Sequence, residues 1–268
     1  MPTIAHLSDI HFGRVDSRIV DPLVNATLAL APDLVVMSGD LTQRARRRQF
    51  REARDFLDRL PKPLLVIPGN HDVPLWDVAL RFTDPYGRYR SYIQENLDPV
   101  FSGEAFIAVG LNSARTLPFH GGGRVNEIQV DRAAARLRAA PAGALRIVVT
   151  HHPFYLPSEA HKRKHLLGRS EMAMERLATA GADVFLAGHL HVHDVAHAAE
   201  RFKIAGHSAL LIQAGTLSTR HRGETNSFNV LRMSPQQIDV ERHDWNVTSG
   251  TFQPAWSKSF RRRSDGWF

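Results

Sequence analysis

The sequence predicts an α/β fold, and three features carry the prediction. Short β-branched or aliphatic runs recur before residue 188, helix-length stretches lie between several of them, and each apolar run ends in a polar cluster. The runs at 3–7, 34–37, 64–67, 106–111, 146–150 and 184–187 are short and apolar, as strands covered on both faces must be. The stretches at 17–30, 46–60, 127–139 and 170–180 supply the covering helices. After residue 188 the pattern changes. Strand-like pieces at 192–196, 209–213, 227–233 and 238–243 follow one another with no helix between them, which predicts a mostly antiparallel region. One domain over 1–245 results, with an aromatic helical insertion at 75–97. Residues 246–268 read as a basic aromatic tail, with Phe252, Trp256, Phe260 and Trp267 around Arg261-Arg262-Arg263.

Composition limits the chemistry. With 268 residues, 43% hydrophobic and 23% charged, the chain is long enough for a sizeable core and has no low-complexity character. The absence of cysteine removes disulfides, thiolate zinc sites and cysteine nucleophiles. A transition-metal site then has to use His, Asp, Glu and Asn, and 15 histidines are present. The opening MPTIAHLSD has no basic segment followed by an apolar stretch, and no run approaches the ~18 apolar residues of a membrane span. A cytoplasmic protein without a transmembrane segment is therefore expected. A formal net charge of +7 favours anionic partners such as phosphate esters, nucleic acid or anionic lipid headgroups.

The informative residues lie where the apolar runs stop, the edge at which open α/β sheets bind ligands. The first run leads into Asp9-Ile10-His11, an i, i+2 pair whose side chains share a face on extended backbone. The second ends in Gly39-Asp40 and the third in Gly69-Asn70-His71-Asp72, where glycine permits a tight turn that leaves the polar group at the strand tip. A later run ends in His151-His152-Pro153 and the last in Gly188-His189-Leu190-His191. Taken singly these are cheap: a lone histidine is more often a hydrogen-bonded structural residue, and Gly-Asp or Gly-Asn is routine turn chemistry. All of them in one order, each directly after an expected strand, form a mixed oxygen and nitrogen set suited to divalent metals. Competing schemes lack their motifs. No Gly-x-Ser-x-Gly elbow accompanies His120-Gly121-Gly122-Gly123, and no phosphate loop or Gly-x-Gly-x-x-Gly turn occurs.

In this order the motifs, spanning residues 9–191, resemble those of the calcineurin-like metallophosphoesterase superfamily. The resemblance implies a four-layer α/β/β/α sandwich with a dinuclear metal site at the strand ends. It implies that Asp9, His11, Asp40 and His191 hold one divalent ion and that Asp40, Asn70, His151 and His189 hold the other, with Asp40 bridging. The ions would be Mn, Fe, Zn or Co. In that family His71 is not a ligand and faces the scissile phosphate. Motif register selects His151 over His152 as the ligand, and Asn70, His71, His152 and Arg124 are the candidate substrate contacts. The start His6-Leu7-Ser8-Asp9-Ile10-His11, the Leu111-Asn112-Ser113 segment and the loop at 121–124 look most like those of bacterial class III cyclic nucleotide and general phosphodiesterases.

The expected reaction is in-line attack on a phosphodiester by a hydroxide bridging the two metals, with His71 protonating the leaving oxygen. Asp72 has two readings, orienting His71 or capping the turn. Three alternatives keep the same site residues. A UDP-2,3-diacylglucosamine-type pyrophosphatase would use the aromatic stretch Trp76, Phe82, Tyr86, Tyr89 and Tyr92 as an acyl groove, although better known members of that branch carry Arg in place of His71. A repair exonuclease would act on nucleic acid. An inactive scaffold is opposed by the complete ligand set. Tyr86, Tyr89 and Tyr92 recur every three residues, which marks a packed helix face more often than a substrate platform. The run His161-Lys162-Arg163-Lys164-His165 reads as a solvated charge run or an anion-attracting rim. A small-molecule phosphodiester is the favoured partner over nucleic acid, and the 76–92 segment and C-terminal tail are candidate homodimer surfaces.

Overall fold

The computed structural model describes residues 1–117, 122–157, 163–198, 208–264 and 266–268. His120 and Gly121 of the glycine stretch and His161 and Lys162 of the basic run lie outside the described residues. The chain opens as β1 (Thr3–Leu7), α1 (Ser17–Leu30), β2 (Leu34–Met37), α2 (Arg47–Arg59) and β3 (Leu64–Val66), with the three strands paired in parallel. Two short helices follow, α3 (Val78–Thr83) and α4 (Gly87–Tyr92). Next come β4 (Val100–Ser102), β5 (Phe106–Leu111), β6 (Gly123–Arg124), α5 (Glu127–Arg138), β7 (Leu145–Thr150), β8 (Leu167–Gly168), α6 (Ser170–Thr179) and β9 (Val184–Ala187). The remaining strands are β10 (Asp194–His197), β11 (Leu210–Gln213), β12 (Ser227–Met233), β13 (Gln237–Asn246), β14 (Thr251–Arg263) and β15 (Gly266–Trp267).

Two sheets result, in the orders β15-β14-β13-β12-β1-β2-β3 and β10-β11-β9-β7-β5-β4. Period-two alternation assigns their faces. Leu34 and Val36 of β2 share a core between the sheets with Ile4, Ile147, Val149 and Leu186, while Val35 and Met37 point the other way. That outer face of the first sheet is covered by α1 through Ile19 and Leu23 and by α2 through Phe50, Ala53 and Phe56, at the spacing of a buried helical stripe. The outer face of the second sheet is covered by α5 through Val130 and Leu137 and by α6 through Met174 and Leu177. Asn126 starts α5 with a capping box, its side chain accepting from the Gln129 N–H at 2.9 Å and Gln129 Oε1 accepting from the Asn126 N–H at 3.2 Å. Three cores separate four layers, and the α/β/β/α sandwich is the fold of this chain. No helix among the described residues is long and apolar enough to cross a membrane.

Strand register brings the important loops together. Leu7 pairs with Met37 and Met37 with Val66, while in the other sheet Leu111 pairs with Thr150 and Val149 with Leu186. The parallel strands therefore end level with one another, and the loops after β1, β2, β3, β7 and β9 leave along one edge.

Three segments differ from the sequence reading. Residues 251–263 of the expected tail form a long strand paired with β13, because Phe252 and Phe260 are buried while most of the residues between them face solvent. The piece expected at 192–196 begins as a strand only at Asp194, since the backbone around His191 is committed to a turn. The 75–97 segment forms two short helices, and its tyrosines pack. The Tyr89 hydroxyl donates to Val66 O at 3.1 Å, the Tyr86 hydroxyl donates to Ala114 O at 2.6 Å, and Tyr92 stacks on Phe50 with centroids 6.2 Å apart.

Candidate metal centre

The side chains of Asp9, His11, Asp40, His189 and His191 converge for a backbone reason. All five residues have φ between +49° and +72°, the left-handed region that side-chain-bearing residues rarely occupy. Strand alternation, which the i, i+2 spacing invited, is not what aims these pairs. Each chain turns sharply off the sheet edge, and the turn is held by its neighbours. The Asp9 N–H donates to Gly39 O at 3.1 Å, the His11 N–H to Asp40 O at 3.0 Å and the Gly188 N–H to His151 O at 3.1 Å. The glycines do more than turn the chain. A Cβ at Gly69 would collide with the Asp40 backbone and carboxylate, and one at Gly188 with Ser8 and the Asp9 carboxylate.

Donor atoms then crowd into two groups. In the first, His191 Nε2 lies 3.1 Å from Asp9 Oδ1 and 3.1 Å from His11 Nε2, which is 3.5 Å from Asp9 Oδ1. In the second, His151 Nε2 lies 3.1 Å from Asn70 Oδ1, 3.3 Å from His189 Nδ1 and 3.4 Å from Asp40 Oδ2. The same Asp40 oxygen is 3.5 Å from His11 Nε2, so Asp40 stands between the groups. Its other oxygen accepts the His71 N–H at 2.8 Å.

These distances fit metal ligation. Atoms bound about 2.1 Å from one ion are roughly 3.0 to 3.4 Å apart for octahedral to tetrahedral angles. Hydrogen bonding alone leaves the set incomplete. Asp9 Oδ2 accepts from the Ser8 hydroxyl at 2.6 Å and the His189 N–H at 2.9 Å, but the buried Oδ1 has no donor and points at His191 and His11. Two of the far nitrogens are anchored, as ligating histidines favour, while the buried His11 Nδ1 has no partner. His151 Nδ1 donates to Ser38 O at 2.8 Å, and His191 Nδ1 donates to Arg220 O at 2.8 Å.

Protonation states agree. Burial alone would raise the Asp9 and Asp40 carboxyls. Histidines nearby overturn it and hold both well below the usual range, His191 and His11 beside Asp9 and His151, His71 and His11 beside Asp40. Burial pushes His11 down to about 4 and His189 well below its ordinary value. At His151 burial is outweighed by the Asp40 charge, and its pKa rises to about 9. Two buried carboxylates among imidazoles call for positive charge, and the clusters fit a metal site.

The residues expected to touch substrate separate into two sets. Asn70 and His71 line a cleft of about 270 Å³ over the donor groups, together with Asp40, His189 and His191. Two others are placed away from it. His152 is fully buried, with Nδ1 2.8 Å from the Ser113 hydroxyl and its ring behind those of His151 and His189. Arg124 is exposed on β6 and is not among the residues lining the cleft. The Asp72 carboxylate is hydrogen-bonded within the turn and not to the His71 ring. It accepts from the N–H groups of Gly69, Leu41 and Thr42 at 2.9, 3.1 and 2.8 Å, whereas the His71 ring uses Nδ1 to donate to Gln43 O at 2.9 Å.

The sequence reading missed the cleft's arginines. Arg44, Arg81, Arg115, Arg220 and Arg222 all line it, and Arg220 NH1 is 2.9 Å from His71 Nε2. Arg81 comes from the short helix α3 and the others from loops, and none belongs to a recognisable motif. His165 was noticed only within a charge run; its Nδ1 is 2.9 Å from His189 Nε2, where it can orient that ring.

Residues 2–193 match the calcineurin-like phosphoesterase family. Among curated proteins, a glycerophosphodiester phosphodiesterase of Enterobacter lignolyticus is 39% identical over 80 residues, covering 26% of this chain and 29% of the relative. A probable cyclic nucleotide phosphodiesterase of Synechococcus is 31% identical over 123 residues, covering 46% of this chain and 43% of the relative. The matched stretches thus span less than half of either relative. Among solved structures, PhoD aligns with a TM-score of 0.73 at 12% identity over 100% of this chain and 71% of its own. The purple acid phosphatase of yellow lupin aligns with a TM-score of 0.70 at 10% identity over 96% of this chain and 53% of its own. At such identities these two likenesses speak for the fold, and the match over residues 2–193 carries the conclusion that the chain belongs to the calcineurin-like phosphoesterase family.

Proposed function

We propose that this protein is a metal-dependent phosphodiesterase with a dinuclear centre. The observation that carries the reading is the pair of donor groups sharing Asp40 at the floor of a cationic cleft with His71 on its wall. Asp9, His11, Asp40 and His191 would hold one divalent ion, and Asp40, Asn70, His151 and His189 the other. Bound there, two such ions neutralise phosphoryl oxygens and lower the pKa of coordinated water towards neutrality. The protein's own residues do the rest. Ser38 O and Arg220 O hold Nδ1 of His151 and His191, so that Nε2 of each is turned to the donor groups, and His151, whose pKa is raised to about 9, would release its Nε2 proton on binding an ion. Asp40 holds the His71 backbone through Oδ1, and Gln43 O holds the ring through Nδ1, leaving Nε2 to face the cleft. Arg220, whose NH1 now donates to His71 Nε2 and lies 3.4 Å from His11 Nε2, can turn to a bound phosphate; that frees Nε2 to take up the proton which His71 would then pass to the leaving oxygen.

Preference for diesters over monoesters draws support from the two curated relatives, both described as phosphodiesterases. The test compares kcat/KM for bis(p-nitrophenyl) phosphate and p-nitrophenyl phosphate, using metal-stripped protein reconstituted with Mn²⁺. A large diester preference is expected; a monoester preference, or activity on neither, refutes the reading. His71→Ala should cost ~10² to 10⁴ in kcat on a diester with a poor leaving group and much less on a nitrophenyl ester, which needs no proton. Equal losses on both would remove the proton-donor role.

A further inference from the structure

The cleft carries more positive charge than a simple diester requires. Elsewhere on the surface, Arg18, Arg48, Arg54, Arg59, Arg88 and Arg176 each have a carboxylate within 3.1 Å. Arg44, Arg220 and Arg222, all lining the cleft, form no ion pair with a carboxylate among the described residues. Arg81 and Arg115 serve another purpose there. Arg81 donates to Pro74 O at 2.7 Å and Thr116 O at 2.6 Å, and Arg115 donates to Ala114 O at 2.9 Å and Gln129 Oε1 at 2.7 Å, so both fasten the cleft wall.

The remaining three share the cleft with His71, and two of them reach its ring. Arg220 NH1 is 2.9 Å from its Nε2, and Arg44 NH1 is 3.4 Å from its Nδ1. Arg222 follows Arg220 by two residues on the loop between β11 and β12 and lines the same cleft. Holding three like charges together is unfavourable unless a ligand offsets it. The single negative charge of a diester is already met by the ions the centre would hold.

We propose that Arg44 and Arg222, beside Arg220, bind a second anionic group on the substrate, so that the preferred substrates are phosphodiesters carrying a further phosphate or carboxylate. The assignment rests on the phosphodiesterase reading for the place of the scissile phosphate, with Arg220 nearest to it and Arg44 and Arg222 reaching the additional anion.

Binding separates the two ideas. The Kd of thymidine 5′-phosphate and of thymidine 3′,5′-bisphosphate for the Mn²⁺-loaded protein is measured by calorimetry, in the native sequence and in the Arg222→Gln and Arg44→Gln variants. The bisphosphate should bind at least about tenfold more tightly, the scale of one charge-assisted contact. The ratio should fall below about threefold in one or both variants and shrink as salt rises. Equal affinities in the native protein, or a preference that survives both substitutions, would overturn the proposal. Turnover is read separately with thymidine 5′-(p-nitrophenyl phosphate). If that ester is not cleaved the phosphodiesterase reading fails, while the affinity ratio still decides whether the arginines take a second anion.

Discussion

His6 offers a perturbation whose size follows from the structure. It lies on β1, three residues before Asp9, fully buried, with Nε2 2.9 Å from the Ser38 hydroxyl and Nδ1 without a partner. Burial lowers its pKa from 6.5 to about 3 against the opposing Asp9 charge. The folded protein therefore keeps His6 neutral where the unfolded chain protonates it. Above pH 6.5 neither state carries the proton and the contribution is fully present; between pH 6.5 and 3 the unfolded state binds more protons, so stability falls as pH falls. With those two values, linkage gives a loss of roughly 3 kcal/mol between pH 7.5 and 4.5 from this one residue. His6→Gln removes the titration and keeps a polar partner for Ser38. The assay is urea unfolding of chelator-treated native protein and variant at pH 7.5, 6.5, 5.5 and 4.5, with the difference in unfolding free energy plotted against pH. Other histidines titrate in both proteins and cancel from that difference. It should shift by roughly 3 kcal/mol in favour of the variant across the range. Parallel curves would show that His6 is protonated as readily inside the protein as outside, and the burial argument would fail.

Three further outcomes follow from the same geometry. Asp72→Ala orphans the N–H groups of Leu41, Thr42 and Gly69 and should destabilise by roughly 3 to 6 kcal/mol, lowering Tm by at least about 6 °C without altering the shape of the activity–pH profile. An unchanged Tm with a displaced acid limb would instead return Asp72 to a role in orienting His71. Gly69→Ala drives a methyl group against Asp40 and should weaken metal binding by ~10 to 100-fold in a chelator competition, with the fold retained by circular dichroism. Asp40→Asn should abolish tight binding at both positions, whereas His11→Ala should leave one tightly bound ion per chain; elemental analysis after dialysis counts them, and two ions retained by Asp40→Asn would refute the shared-ligand geometry.

The order of apolar runs and helices and the polar strand ends were legible in the sequence because each is a local pattern. A two-sided buried strand is apolar at every position, a covering helix repeats its buried residues every three to four, and a binding residue follows where the strand stops. That pattern offered Asp9, His11, Asp40, Asn70, His71, His151, His152, His189 and His191 together; the four layers and the choice of seven candidate ligands among them came from the family resemblance. Four things were decided only in three dimensions. Left-handed backbone, not strand alternation, aims five of those side chains, and dihedral angles leave no periodic trace. That the Asp72 carboxylate gathers three N–H groups from two loops is visible only in the structure. The segment after 246 hid its strand because Phe252 and Phe260 are buried among mostly exposed neighbours on an edge whose face depends on β13. The arginines of the cleft were invisible for the plainest physical reason. Arg44, Arg81, Arg115 and the pair Arg220 and Arg222 lie on four separate segments, ordinary one by one, and only the closure of two sheets at a common edge sums their charge over a single site.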